Sequence, residues 1–131
     1  MKKLFVTAIL LFAFCNLFGQ KDTTFKSVDV MEFEKLITQE QVVLVDVRTS
    51  QEHADAYIPG TDYNINVLSS EFEEIVESNL KKDKTIAIYC RSGNRSKKAA
   101  KILTAKGFKV IELSTGFNGW SSSGKSTLSS K

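Results

Sequence analysis

Thr85-Ile86-Ala87-Ile88-Tyr89-Cys90-Arg91-Ser92-Gly93-Asn94-Arg95-Ser96 decides the fold. Its first five residues form a short apolar run of the kind seen in strands buried on both faces of a parallel sheet. A polar loop with one glycine follows. Beyond it, the pattern predicts a helix from about Ser96 to Lys106, ending at Gly107, a natural C′ residue. Strand, short loop and helix in that order are the repeating unit of α/β domains.

The same alternation continues outward. Asp29-Val30-Met31-Glu32 reads as a capped helix start, with Val30, Phe33 and Ile37 on one face. Gln41-Val42-Val43-Leu44-Val45-Asp46-Val47 is a second β-branched run that turns polar at its end. Thr49-Ser50-Gln51-Glu52 matches a capping box. Pro59-Gly60 marks a turn, and Asn64-Ile65-Asn66-Val67 suggests a brief strand. Ser70-Glu71-Phe72-Glu73 is a second capping box, followed by Ile75, Val76 and Leu80 on one face. Residues 81–84 form a charged connector, and Val110-Ile111-Glu112-Leu113 is the last strand. Together these segments predict an α/β domain with a mainly parallel sheet. No internal repeat is visible. The stretch 121–131 is rich in Ser, Lys and Gly and is expected to fray.

The chain has 131 residues, which fits one domain, with 42% hydrophobic and 25% charged residues. The net charge of +3 is small and dispersed, and no Lys/Arg run is interleaved with aromatics, so nucleic acid is not an expected partner. Residues 1–19 read as a signal peptide. Lys2 and Lys3 precede an apolar run from Leu4 to Phe14, and Gly19 supplies a small residue for cleavage. The apolar stretch falls short of the ~18–20 residues that span a bilayer, so no stable membrane span is expected after cleavage. Lipid attachment at Cys15 is disfavoured by the bulk of Phe14. Loss of Lys2, Lys3 and Cys15 would lower the net charge from +3 to +1 and leave Cys90 as the sole cysteine. The expected location is periplasmic or secreted.

Cys90 sits where ligands bind in open α/β sheets, just beyond the carboxyl end of a strand. The N–H groups at the start of the next helix point back toward it. A cysteine so placed is expected to be substantially thiolate. Arg91 and Arg95 add positive charge, Gly93 lets successive N–H groups converge on an anion, and Ser92 and Ser96 offer hydroxyls. The competing reading is an inert core cysteine, because free cysteine is often buried. The polar company of Cys90 favours a reactive one. Cysteine phosphatases and arsenate reductases place an arginine six residues after their cysteine. Here that position is Ser96, and Arg95 lies one residue early.

The sequence Cys90-Arg91-Ser92-Gly93-Asn94-Arg95-Ser96 resembles the active-site loop of single-domain rhodaneses, the sulfurtransferases. Three other segments share the likeness: Val43-Leu44-Val45-Asp46-Val47-Arg48 with Glu52, Tyr57-Ile58-Pro59-Gly60 with Asn64-Ile65, and Gly107-Phe108 to Val110 with Gly116 to Trp120. The resemblance spans residues 25–120. It implies a rhodanese-like fold, a five-stranded mainly parallel sheet with helices on both faces. It also implies a transferase activity in which Cys90 takes the outer sulfur of an anionic donor such as thiosulfate, forms a persulfide, and yields the sulfur to a thiol or cyanide acceptor. Cys90 would be catalytic, with Arg91, Ser92, Gly93, Asn94, Arg95 and Ser96 binding substrate, and no metal or organic cofactor is implied. Three positions depart from the family pattern: Tyr57 stands where His is usual, the stretch Thr61-Asp62-Tyr63 is one residue longer, and Thr115 replaces a glycine.

Four other residues are expected to support the site. Asp46 and Arg48 could act in catalysis, but structural roles are favoured: an Arg48–Glu52 ion pair, or a brace from Asp46 to nearby backbone. Trp120 follows a Gly-containing turn over residues 116–120 and is expected to pack rather than line the site. His53 is the only histidine and lies on a short polar helix; a thiolate nucleophile has no need of it as a base. Lys97 and Lys98 open the helix after the loop. Three functions stay open: an exported sulfurtransferase, a phosphatase or arsenate reductase disfavoured by the loop count, and a persulfide carrier or redox sensor without efficient turnover.

Overall fold

The computed structural model describes residues 24–131. The signal-peptide reading and Cys15 lie outside the described residues. The elements run β1 (Lys26–Val28), α1 (Val30–Leu36), β2 (Val42–Asp46), α2 (Ser50–Asp55), β3 (Tyr63–Asn64), α3 (Phe72–Asn79), β4 (Thr85–Tyr89), α4 (Asn94–Ala105), β5 (Lys109–Leu113) and α5 (Gly116–Ser122). The five strands form one sheet in the order β1-β5-β4-β2-β3, and every pairing is parallel.

Pleating sends alternate side chains to opposite faces. Val45, Ile86, Ile88 and Val110 meet Phe72, Val76, Ala99, Ala100 and Leu103 on the face covered by α3 and α4. Leu44, Ala87, Tyr89, Ile111 and Leu113 meet Val30 and Phe33 of α1 and Trp120 of α5 on the other. Apolar residues at both alternations are what make β2 and β4 read as continuous runs. In β4 even Tyr89 is fully buried.

Local signals explain several boundaries. Asp29 accepts the Glu32 N–H at 2.9 Å and caps α1, a contact of about 1 kcal/mol. Thr49 caps α2 in the same way through the Glu52 N–H, at 3.2 Å. After α4 the Gly107 N–H bonds to the Thr104 carbonyl at 3.0 Å and the Phe108 N–H to the Leu103 carbonyl at 3.1 Å. That is a Schellman close, and Gly107 adopts the positive φ of +94° it needs.

Five readings need correction. The helix after the cysteine begins at Asn94 rather than near Ser96, because Gly93 already serves as its N-cap. The second capping box fails: Ser69, not Ser70, accepts the Glu71 N–H, and α3 starts at Phe72 without a side-chain cap. The brief strand lies at residues 63–64 rather than 64–67, where the backbone runs alongside Val45 and Asp46. Residues 116–120 are helical, within α5, rather than a turn. The tail is paired rather than frayed: Leu128 bridges Tyr57 in an antiparallel contact, and the Ser130 N–H donates to the Ala54 carbonyl at 3.0 Å.

Candidate active site

Cys90 directly follows β4, the central strand, and is 1% exposed. Its Sγ accepts the Gly93 N–H at 3.0 Å. This bond closes the loop across three residues and aims the sulfur at the start of α4. A helix of 12 residues carries partial positive charge at that end, where its first N–H groups lack intrahelical partners. Gly93 sits at φ +106°, and a Cβ there would collide with the Ser114 carbonyl. Both its conformation and its space require glycine.

The outer side of the loop is held by α5. The Phe117 N–H donates to the Cys90 carbonyl at 2.8 Å, and the Asn118 N–H to the Arg91 carbonyl at 3.0 Å. With those carbonyls turned toward α5, the planar trans peptides aim the Arg91 and Ser92 N–H groups away from it. Gly116 makes the approach possible. A Cβ on it would lie 2.5 Å from the Arg91 carbonyl oxygen and 2.7 Å from the Ser92 nitrogen. Thr115, one of the departures from the family pattern, is accommodated by Gly119, where a Cβ would collide with the Thr115 hydroxyl.

The loop residues have different surroundings. Arg91, Ser92 and Asn94 are exposed. Arg91 lines a cavity of about 220 Å³ together with Arg48, Glu52, Asp55, Ala56, Phe117 and Asn118. Arg95 makes a two-pronged contact with Glu52, at 2.7 and 2.8 Å. The Arg95 hydrogen bonds outweigh partial burial and hold the Glu52 carboxyl down to about 2, with Thr49 assisting. Glu52 in turn raises the Arg95 guanidinium above its ordinary value. Ser96 is fully buried, with its Oγ 3.5 Å from Cys90 Sγ. A larger cavity of about 510 Å³ lies at the amino ends of β1, β4 and β5, away from this loop.

The expected Arg48–Glu52 pair is absent. Arg48 instead grips Asp46, Nε to Oδ1 at 2.9 Å and Nη2 to Oδ2 at 2.7 Å. Both are buried, and a planar guanidinium matches a carboxylate two residues away better than the more distant Glu52. The expected backbone brace is present as well, from the Arg48 N–H to Asp46 Oδ1 at 3.0 Å. Burial lowers the Arg48 pKa, but the Asp46 hydrogen bonds and charge reverse this and raise it. The guanidinium lies 4.5 Å from the centre of the Phe117 ring, which joins α5 to the brace. Burial, with Asp46 nearby, pushes the Tyr89 hydroxyl well above its ordinary value, and that hydroxyl accepts the Ile58 N–H at 3.1 Å. His53 bonds Asp46 through Nδ1 at 2.9 Å and stacks on Tyr57, so it belongs to the brace. Trp120 is 4% exposed and donates to the Ser126 carbonyl at 2.9 Å.

One residue beside the loop was not singled out from sequence. Glu112 of β5 is fully buried. It accepts the Ser96 hydroxyl at 2.7 Å, pairs with Lys97 at 3.0 Å, and accepts the Ser27 hydroxyl. A charged residue inside the apolar run Val110-Ile111-Glu112-Leu113 was the available signal. No group of metal-ligating side chains occurs among the described residues. None of their helices is long and apolar enough to cross a membrane.

Comparison with known proteins agrees with this architecture. Residues 29–123 match the Rhodanese-like domain family. A putative sulfurtransferase of Bacillus subtilis, YtwF, is 34% identical over 87 residues, covering 66% of this chain and 81% of its own. A sulfurtransferase of Allochromatium vinosum is 36% identical over 92 residues, covering 70% and 82%. The rhodanese-related protein of Thermoplasma volcanium superposes with a TM-score of 0.70 at 26% identity, over 79% of this chain and 98% of that one. Other relatives bear different names. A thiosulfate sulfurtransferase of Pseudoalteromonas translucida, GlpE, is 30% identical, and a putative sulfur carrier protein of Bacillus subtilis, YrkF, is 33% identical. The chain spans 45% of YrkF and only 27% of a tRNA uridine(34) hydroxylase of Acinetobacter baumannii, 33% identical. The parallel sheet, the cysteine at the end of its central strand and these matches place the chain in the rhodanese-like domain family, alongside its sulfurtransferases.

Proposed function

We propose that this protein is a sulfurtransferase that carries sulfane sulfur on Cys90 from a small anionic donor of the thiosulfate type to a thiol or cyanide. The observation that carries the reading is the Gly93 N–H on Cys90 Sγ at 3.0 Å, at the amino end of α4. The Cys90 thiolate attacks the outer sulfur of thiosulfate. The sulfur–sulfur bond of the donor breaks, and sulfite leaves with the electron pair. The resulting persulfide bears its charge on the outer sulfur, where converging N–H groups and the helix end stabilise it. An acceptor then attacks that sulfur, and the electron pair of the breaking bond returns to Cys90. Arg91, exposed and without a carboxylate partner among the contacts described, is the donor-binding cation. Arg95 acts by anchoring the loop to Glu52. No step calls for a metal or organic cofactor.

A second reading, a persulfide carrier with little turnover, is favoured by one observation. Cys90 is 1% exposed, which limits a bulky acceptor. The test is incubation of the full chain with thiosulfate, followed by cyanide. Repeated thiocyanate formation supports the enzyme. A single stoichiometric release from a chain one sulfur atom heavier supports the carrier. We further propose export to the periplasm or beyond, supported by the sequence of residues 1–19. A mature amino terminus near Gln20 on protein recovered outside the cytoplasm is expected; an intact Met1 terminus in the cytoplasmic fraction would overturn it.

A further inference from the structure

Ser96 Oγ has one proton and three acceptors within reach: Glu112 Oε2 at 2.7 Å, the Gly93 carbonyl at 3.0 Å and Cys90 Sγ at 3.5 Å. The carboxylate is both the nearest and the charged acceptor, and a charge-assisted bond is the strongest of the three. Its other partners among the described residues are the Lys97 ammonium and the Ser27 hydroxyl, both donors. Carboxylate oxygens can accept from all three of these donors. With its proton held by Glu112, Ser96 presents lone pairs to Cys90, and the Cys90 S–H is the donor in that contact.

We propose that Glu112 is a positioning residue for Cys90, acting through Ser96 to restrain ionisation of the thiol and keep the sulfur strongly nucleophilic. The other charges around Cys90 pull the opposite way. Arg91 is on the loop itself, Arg95 and Lys97 are on α4, and the helix end adds its partial positive charge. Asp46 and Glu52, from β2 and α2, are matched by Arg48 and Arg95. Nearby cations favour the charged form of a thiol, and nucleophilicity falls as a thiol becomes more acidic. Glu112 sets the balance from β5, on the buried side of the loop. In the persulfide the inner sulfur is uncharged, so Ser96 has no anion to solvate there. Charge then rests on the outer sulfur.

The benefit to catalysis rests on the sulfurtransferase reading, but the test uses no sulfur donor and so fails or succeeds apart from it. Full-length protein is alkylated with iodoacetamide across a pH series, and the Cys90 peptide is followed by mass spectrometry. In Glu112→Gln, Lys97 takes the amide oxygen, the amide nitrogen faces Ser96, and the Ser96 proton turns to Cys90. The pH midpoint of alkylation is expected to fall by about one unit. Ser96→Ala alone is expected to leave the midpoint unchanged or slightly lower. Placed on top of Glu112→Gln, Ser96→Ala is expected to raise it again. A rise in the Ser96→Ala single variant would show that Ser96 already donates to the thiolate and would overturn the proposal. An unmoved or higher midpoint in Glu112→Gln would do the same. If that variant does not fold, the Ser96→Ala result decides alone.

Discussion

Replacing Gly116 by alanine tests how α5 shapes the cysteine loop. Gly116 has φ +65°, and its new methyl would lie 2.5 Å from the Arg91 carbonyl oxygen, closer than real Cβ contacts allow. Two effects add. The left-handed conformation costs about 1–2 kcal/mol for a residue with a Cβ. Forcing the methyl against backbone costs a further ~1–3 kcal/mol, because two main-chain segments have to separate. Gly60 supplies the control: its φ is +86°, yet nothing lies within 4 Å of its Cβ position. Gly60→Ala should therefore lose only the first ~1–2 kcal/mol. Gly116→Ala should lose about 2–5 kcal/mol in total. Equilibrium urea unfolding followed by circular dichroism measures both. The separation would also break the bonds from Phe117 and Asn118 to the loop carbonyls. Cys90, 1% exposed in the intact loop, should then be alkylated faster at fixed pH in Gly116→Ala and not in Gly60→Ala. Equal stability losses, or an unchanged Cys90 rate in Gly116→Ala, would refute the account of α5 as the loop's outer wall.

Asp46→Asn leaves the Arg48 guanidinium buried without its counter-charge and is expected to cost about 3–5 kcal/mol in urea unfolding. The Glu52–Arg95 pair should show itself in the pH dependence of stability. Glu52 falls from 4.5 to about 2 on folding, so its contribution is present above 4.5 and disappears as pH drops through about 2. Wild type should exceed Glu52→Gln by about 1 kcal/mol at neutral pH, since this pair retains solvent contact. The two unfolding curves should converge toward pH 2. Arg91→Ala should raise the thiosulfate KM about tenfold, the equivalent of one hydrogen bond to a charged group, with kcat little changed. Arg95→Ala should instead lower kcat and stability together, because it frees the loop from α2.

The parallel sheet was legible because its central strands carry apolar side chains on both faces, and such runs stand out. The loop was legible for a related reason: Cys90, Gly93 and the arginines are adjacent in sequence and need no tertiary contact to be seen together. What escaped depends on contacts between distant segments. The three residues of β1 form a strand only because β5 pairs with them. In α5, Gly116 and Gly119 weaken helix propensity by about 1 kcal/mol each relative to alanine. Phe117, Trp120 and the loop carbonyls supply what propensity lacks. The partners of Arg48 and Glu52 were misassigned because helical spacing favoured a local pair. In the fold, Arg48 has Asp46 beside it, and Arg95 arrives at Glu52 from α4, 43 positions away. Glu112 went unremarked because its partners, Ser27, Ser96 and Lys97, lie on β1 and α4.

Sulfur transfer through Cys90 is tested most directly by thiocyanate formation from thiosulfate and cyanide with wild type and Cys90→Ser, with intact mass recorded after thiosulfate alone. Thiocyanate is expected from wild type only, with one added sulfur atom on the Cys90 peptide and one sulfite released for each sulfur bound. Thiocyanate formation undiminished in Cys90→Ser, or phosphate release from an aryl phosphate with no sulfur transfer, would contradict it.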